Sequence, residues 1–218
     1  MRAPRRIEIV PADLIRLVRH GEVHNPEGIL YGRIPGYHLS ELGHRMADVA
    51  AESLAGHPVT ALWASPLQRA QESAQPWSQR FGLPIITDER LIEPTNWFEG
   101  TTVKRKVRDP RSWPKLADPF TPGWGEAFTL VRARMLSVIE EAWAGVEGGE
   151  VVMVSHQMPI VTVQRSVAGK RLFHNPAKRR CSLSSITTLA REGDRLVEVD
   201  YQEPAKALLA SAIDTGAV

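Results

Sequence analysis

Apolar residues along this chain follow two rhythms, short unbroken runs and a spacing near 3.6 residues. Ile15, Leu17 and Val18 form a run that stops at Arg19-His20-Gly21-Glu22 and predicts a short buried strand. The Gly- and Pro-rich stretch from Val23 to Leu39 reads as a long surface loop. Ser40 then caps a predicted helix in which Leu42, Met46, Val49, Ala50 and Leu54 recur at helical spacing, with Gly56 as its stop. Val59 to Ala64 predicts a second strand. Ser65-Pro66 opens a second helix, with Pro66 near its first turn, where a missing N–H costs little. Its predicted inner face is Leu67, Ala70, Ala74, Trp77 and Phe81, and Pro76 within that pattern predicts a kink or a split. Leu83 to Thr87 is a third, shorter strand.

The pattern then breaks. From Glu93 to Gly125 there are several prolines, the tryptophans Trp97, Trp113 and Trp124, and a basic run of Lys104, Arg105, Lys106, Arg108 and Arg111. A patternless stretch of this length inside a compact domain predicts a lid or insertion, at about 94–124. A solvated charged face is the default reading of the basic run, and a lid that meets a second anionic group is its functional alternative. Periodicity returns with a predicted helix over Gly125 to Ala144, striped by Phe128, Val131, Met135, Val138, Ile139 and Trp143. Val151 to Val154 is continuously apolar between Gly149 and Ser155, as in a strand buried on both faces of a parallel sheet. A helix follows from Pro159, and Ser185–Ala190 and Leu196–Val199 suggest a β pair around Glu192-Gly193-Asp194. Strands alternating with helices predict an α/β fold. We expect a three-layer α/β/α sandwich with a mainly parallel central sheet, as one domain over residues 1–218.

Composition narrows the partners. Lys and Arg number 27 against 25 Asp and Glu, a net charge of +2, without the clustered surplus of a nucleic-acid binder. The single cysteine, Cys181, excludes an intramolecular disulfide framework and a multi-cysteine zinc site, and we expect it to be packed. Glu8, Asp13 and Arg16 interrupt the apolar residues near the start, so no signal peptide is read there. No stretch reaches the roughly 20 apolar residues of a membrane span. The expected setting is the cytoplasm, with neither nucleic acid nor membrane as partner.

Ligands of parallel α/β sheets gather beyond the carboxyl ends of the strands. Three segments meet there: Arg19-His20 after the first strand, Ser65 to Arg69 after the second, and His156 after the Val151–Val154 run. A neutral imidazole is a nucleophile, guanidinium groups hold phosphoryl oxygens in pairs, and a carboxyl group moves the leaving-group proton. His20, Arg19, Arg69, His156 and Glu93 supply these groups, and nearby arginines would keep His20 unprotonated. His20 and His24 stand four apart, but Gly21 and Pro26 argue against a helix there, so neither a metal site nor a cofactor is expected. There is no Walker loop, dinucleotide fingerprint or Gly-x-Ser-x-Gly elbow.

LVRHGE at Leu17–Glu22 resembles the signature of the histidine phosphatase superfamily, the phosphoglycerate mutase-like family. SPLQRAQESA at Ser65–Ala74, Leu91-Ile92-Glu93 followed by Glu99-Gly100, Gly125-Glu126, and Val154-Ser155-His156 are similar to its later motifs, in family order. The resemblance implies that His20 is the phosphorylated nucleophile. Arg19, Arg69 and His156 would form the phosphate pocket, Glu93 would act as general acid and then base, and Asn25 would touch phosphate. The chain departs from the pattern in three places. Asn25 and Gly32 lie one position nearer the RHG motif than usual, the acid loop is a residue short, and His156 is followed by Gln157 instead of glycine. Gln157 retains a backbone N–H for the phosphate pocket, and Glu99 stands as the alternative acid. Only 62 residues, 94 to 155, separate Glu93 from His156. That implies the compact phosphatase branch: an enzyme that hydrolyses phosphomonoesters of small metabolites through a phosphohistidine. A cofactor-dependent phosphoglycerate mutase and a catalytically weak phosphate-binding module are the alternatives. Exposed tryptophans would suit a homodimer.

Overall fold

The computed structural model describes residues 12–102, 109–116 and 125–214. Lys104 to Arg108 of the basic run, Trp124 and the chain start through residue 11 lie outside the described residues. Six strands form one sheet: β1 (Leu14–Arg19), β2 (Val59–Ala64), β3 (Ile85–Thr87), β4 (Glu150–Ser155), β5 (Ile186–Glu192) and β6 (Arg195–Gln202). Their order is β3-β2-β4-β1-β5-β6. The first four run parallel, β5 is antiparallel to β1, and β6 is antiparallel to β5. This is the expected α/β architecture.

β4 lies between β2 and β1, and all six of its residues are buried. Because side chains alternate along a strand, Val151 and Met153 face one layer and Val152 and Val154 the other. Helices α1 (Glu41–Glu52) and α2 (Gln68–Phe81) cover the Val152 side through Ala50, Ala70, Ala74 and Trp77. Helices α3 (Phe128–Ala144) and α4 (Gln157–Val167) cover the Val151 side through Val131, Met135, Ile139, Ile160 and Val163. A short helical turn, Lys206–Leu209, packs near α1 with Met46, Leu183 and Ala205. Among the described residues, no helix is long and apolar enough to cross a membrane.

Several element boundaries differ from the pattern-based reading. α1 ends at Glu52 with Ser53 as its C-cap, ahead of Gly56. α2 begins at Gln68, because Leu67 is extended and its N–H bonds to Ser65 Oγ at 3.4 Å. It also runs through Pro76 as one helix, without a split. Buried Ala74 and Trp77 flank that proline and anchor both sides to the core, offsetting the lost hydrogen bond. α3 starts at Phe128 and not at Gly125, which makes an isolated β-bridge with Asn96. α4 starts at Gln157, so Pro159 sits in its first turn, where proline is tolerated.

At the start of β1, Arg16 is buried against Glu150 of β4. Its Nε and Nη2 donate to the two carboxylate oxygens at 2.8 and 3.1 Å, and Nη1 donates to Thr188 Oγ1 at 2.8 Å. His57 Nδ1 stands 3.0 Å from the same carboxylate. Burial opposes ionisation of Glu150, but the bonds from Arg16 and His57 hold its carboxyl below the value of 4.5. The pair ties three strands together. Arg16→Met is therefore expected to cost about 3–5 kcal/mol in urea unfolding, because Glu150 loses its principal partner, and Arg16→Met/Glu150→Leu should recover much of that loss. The lowered folded-state pKa gives the sign with pH. The stabilisation is complete above 4.5 and is lost as pH falls through the lower folded value, a slope the double variant should lack.

Candidate active site

β1 and β4 end side by side, with Arg19 paired to Ser155, so the residues that follow them emerge together. His20 N–H donates to Ser155 O at 3.1 Å, which holds the first loop to the second strand end. A Cβ on Gly21 would overlap the carbonyl of Gly43, and a Cβ on Gly43 would overlap Glu22 O. Both positions therefore require glycine, so that the His20 turn can dock on the first turn of α1. Gly21 N–H donates to Ser73 Oγ of α2 at 3.1 Å. Ser40 caps α1 as the sequence predicts, accepting from Gly43 N, and its hydroxyl donates to Glu22.

His20 and His156 are fully buried, with ring centroids 5.1 Å apart. His20 Nδ1 is 2.8 Å from Gly21 O, and a carbonyl only accepts, so Nδ1 carries the proton and Nε2 presents its lone pair. Burial, followed by the charges of Arg69 and Arg19, drives the His20 pKa well below 6.5. His156 is depressed in the same direction, by burial first and then by Arg69 and His20. Its Nε2 lies 2.7 Å from Ser65 Oγ. Among the described residues no other acceptor stands beside the Ser65 hydroxyl, so its proton is assigned toward Nε2, which leaves Nδ1–H of His156 as a donor.

Arg69, on the first turn of α2, is buried under the Tyr31 ring, with its guanidinium 4.7 Å from the ring centroid. Its Nη2 donates to Gly32 O at 2.7 Å. Gly32 adopts φ +40°, and a Cβ there would collide with the Glu99 side chain. Arg19 is fully buried. Nη1 donates to Cys181 O at 2.7 Å and to Asp214 Oδ2 at 2.8 Å, and Nη2 donates to Asp214 Oδ1 at 2.5 Å. Asp214 thus grips the guanidinium end-on, and Nε–H with the second Nη2 hydrogen remains along the other edge. The Nε atoms of Arg19 and Arg69 and Nδ1 of His156 are all buried without a protein hydrogen-bond partner among the described residues. Buried donors are normally paired. Three such donors around one bare imidazole nitrogen suit a ligand rich in acceptor oxygens.

Glu93 is buried, with Oε2 3.9 Å from His156 Nδ1. Burial raises its pKa above 4.5 against the opposing pull of Arg69, Arg179 and Arg19. Ser155 Oγ holds the preceding turn through Leu91 O at 2.7 Å, and Arg33 Nε holds Glu93 O at 2.5 Å. Glu99 instead packs beneath Gly32 and accepts from Asn96 N at 3.1 Å. Asn25 closes its own loop, its amide pairing with Ile29 N and O at 3.2 and 2.9 Å. Gln157 donates from Nε2 to Cys181 O at 3.3 Å and accepts from Arg179 at 3.1 Å. Cys181 is packed, its thiol pushed up by burial to about 11. His24 stacks on His38, with centroids 5.4 Å apart. Trp97 and Trp113 are exposed.

Two participants escaped the sequence reading, Asp214 and Arg179. Neither lies in a recognisable motif, and only the folded chain brings them near Arg19 and Glu93. Asp214 arrives because Ile213 N–H donates to Glu22 Oε1 at 2.6 Å, so one glutamate anchors both the α1 cap and this segment.

The model of the histidine phosphatase superfamily (branch 1) matches residues 15–203. An uncharacterised Mycobacterium tuberculosis protein, Rv0525, is 50% identical over 194 residues, covering 88% of this chain and 96% of that protein. A probable phosphoglycerate mutase of Yersinia pestis, GpmB, is 27% identical over 195 residues, covering 87% and 85%. The mycobacterial glucosyl-3-phosphoglycerate phosphatase Rv2419c, solved with inorganic phosphate, superposes with a TM-score of 0.72 at 25% identity, covering 89% of this chain and 99% of that one.

The end-on grip of Asp214 orients the free edge of Arg19. Asp214→Asn is expected to weaken orthovanadate and phosphate binding about tenfold by calorimetry, through loss of a charge-assisted pair. Tighter binding in that variant would mean that Asp214 competes for the same edge.

Proposed function

The chain belongs to the histidine phosphatase superfamily, branch 1, and on that premise we propose that it is a phosphatase that hydrolyses small phosphomonoesters through a phosphohistidine at His20. The single observation that carries this reading is the bare, neutral Nε2 of His20 beside three buried donors that lack protein partners. Phosphoryl oxygens accept from the free edges of Arg19 and Arg69 and from Nδ1–H of His156. We assign to the same pocket the backbone N–H of Gln157, at the start of α4, and Asn25.

His20 Nε2 attacks phosphorus, and the ester P–O bond breaks. The leaving oxygen takes its proton from the Glu93 carboxyl. Water then attacks the phosphohistidine and gives a proton to the Glu93 carboxylate. The P–N bond breaks, and inorganic phosphate leaves with the enzyme restored. Fixed cations stabilise charge as it spreads over the phosphoryl oxygens, without reorganising at the moment of transfer. Glu93 suits the two proton transfers because burial raises its pKa toward working pH and it stands beside His156. Glu99 is engaged by Gly32 and Asn96 and is the less suitable acid.

The likeness to GpmB favours a second reading, in which a substrate hydroxyl and not water takes the phosphoryl group. Phosphate release from 3-phosphoglycerate, followed beside its isomerisation with and without 2,3-bisphosphoglycerate, separates the two. Isomerisation without phosphate release would replace the phosphatase reading.

His20→Ala is expected to abolish turnover and the acid-labile label that radioactive substrate leaves on the wild-type chain. Full activity in a folded His20→Ala protein would remove the proposal. Glu93→Gln should slow sugar-phosphate hydrolysis by about 10²–10⁴ and p-nitrophenyl phosphate hydrolysis far less, because a nitrophenolate departs with little help. The acid works protonated, so kcat/KM should fall as pH rises through the raised Glu93 pKa, a limb that Glu93→Gln should lack. Finding this limb lost in Glu99→Gln instead would exchange the two roles.

A further inference from the structure

Beyond α4 the chain returns to the sheet through residues 168–185, and this return walls a cavity of about 380 Å³ against the end of α4. Five cations line it, Arg165, Lys170, Lys178, Arg179 and Arg180, against one carboxylate, Glu198 of β6, which is already paired with Arg180. Arg165 is held by neutral groups, donating to the carbonyls of Arg171 and Phe173 at 2.6 and 3.4 Å. Positive charge gathered in a concave wall attracts anions more strongly than the same charge on a flat surface. Among the described residues, none of His20, Arg19, Arg69, Glu93 and His156 lines this cavity, so whatever it holds is distinct from the group that meets His20.

Arg179 is the member that reaches inward. Its Nε donates to His174 Nε2 at 2.9 Å, and its Nη1 donates to Gln157 Oε1 at 3.1 Å. His174 Nδ1 is 2.7 Å from Leu172 O and so carries the ring proton, leaving Nε2 to accept. Both partners are therefore neutral. Burial pulls the Arg179 pKa down to about 10, with the charge of Glu93 opposing. A largely buried guanidinium held in this way is costly unless an anion offsets it. Arg69 from α2, Arg19 from β1 and Arg134 from α3 also act on Glu93, and His156 stands 3.9 Å from its carboxylate. Of these groups only Arg179 also lines the cavity.

We propose that this cavity binds a diphosphate group, free or carried by a nucleoside, as an effector separate from the substrate, and that the bound anion acts on Glu93 through Arg179. Two adjacent phosphoryl groups carry enough charge to engage Arg179 and the two lysines together. The binding half stands on the cavity alone, and the effect on turnover rests on the phosphatase reading, with Glu93 as its acid. Arg179 favours ionisation of Glu93, and an anion that offsets its charge leaves the carboxyl protonated to higher pH. The falling limb of kcat/KM should then move up by about 0.5 pH unit.

Methylenediphosphonate is the probe for the free group and adenosine 5′-(α,β-methylene)diphosphate for the nucleoside-borne one, since the P–C–P bridge resists hydrolysis. Calorimetry on the wild type should show, for at least one probe, a saturable binding event that Lys170→Gln/Lys178→Gln and Arg179→Gln each weaken about tenfold and that Arg69→Gln changes by less than about twofold. Both lysines are exposed, so the double variant tests the site without disturbing the core, and thermal unfolding checks the arginine variants. The probe should move the limb upward in the wild type, and Arg179→Gln should move it the same way without any probe. Tighter binding of the nucleotide identifies a nucleoside-borne diphosphate, and equal or weaker binding a free one. Failure of both probes to bind, or binding that only Arg69→Gln weakens, overturns the proposal. Binding at the cavity that leaves the limb in place overturns the action on Glu93. A wild type that turns over no ester, yet keeps the lysine-dependent binding, sinks the phosphatase reading and leaves the site standing.

Discussion

Removing a guanidinium ion from water costs several kcal/mol even after the surroundings relax, and this fold does so twice in one site, at Arg19 and Arg69. Neither residue is fully compensated. Arg19 has Asp214 and a carbonyl on one edge, and Arg69 has a carbonyl and an aromatic face. The Nε of each is buried without a partner among the described residues. The neutrality of His20 and His156 follows in part from this, since a protonated ring beside two buried cations would add to an already unfavourable charge. Arg16, three residues before Arg19 on the same strand, shows the contrast. It meets a buried carboxylate and a hydroxyl, its donors are engaged, and it serves the fold.

The same excess of positive charge acts on Glu93, the proposed acid. A carboxyl group sealed from water would be strongly biased toward its protonated form, and the arginines around it pull in the opposite direction. The group is left able to both give and take a proton. Its position comes from backbone contacts, with Ser155 holding the turn before it and Arg33 holding its own carbonyl. Glu126 gathers Arg33 and Arg134 on the far side of that turn. Glu126 therefore braces the Glu93 loop through ion pairing.

The places where this chain departs from its family's pattern acquire physical content in three dimensions. Gly32 must be glycine because Glu99 fills the space where a side chain would stand, and its carbonyl takes up one arm of Arg69. Asn25 is turned to loop closure by its pairing with Ile29. Gln157 occupies the position of a usual glycine and links Arg179 to the carbonyl that steadies Arg19. Each departure redistributes hydrogen bonds around the proposed phosphate pocket while the two histidines and two arginines stay together.

Local sequence determined a good deal unaided. Apolar runs and helical spacing marked the strands and helices, since a half-buried element must repeat with its own geometry. The carboxyl-edge rule brought Arg19, His20, Arg69 and His156 to one place, because parallel strands end on the same side. Pattern left open what tertiary contacts decide, as at Pro76, where buried Ala74 and Trp77 accompany one continuous helix. Only the tertiary structure decided which proton each histidine carries, because that depends on Gly21 O and on the Ser65 hydroxyl, which comes from a distant strand end. It alone brought Asp214 onto Arg19 across 195 positions and set Arg179 against Gln157. Such contacts join single residues far apart in the chain, where no periodicity exists to announce them, and their energies come from burial and charge that only the assembled fold creates.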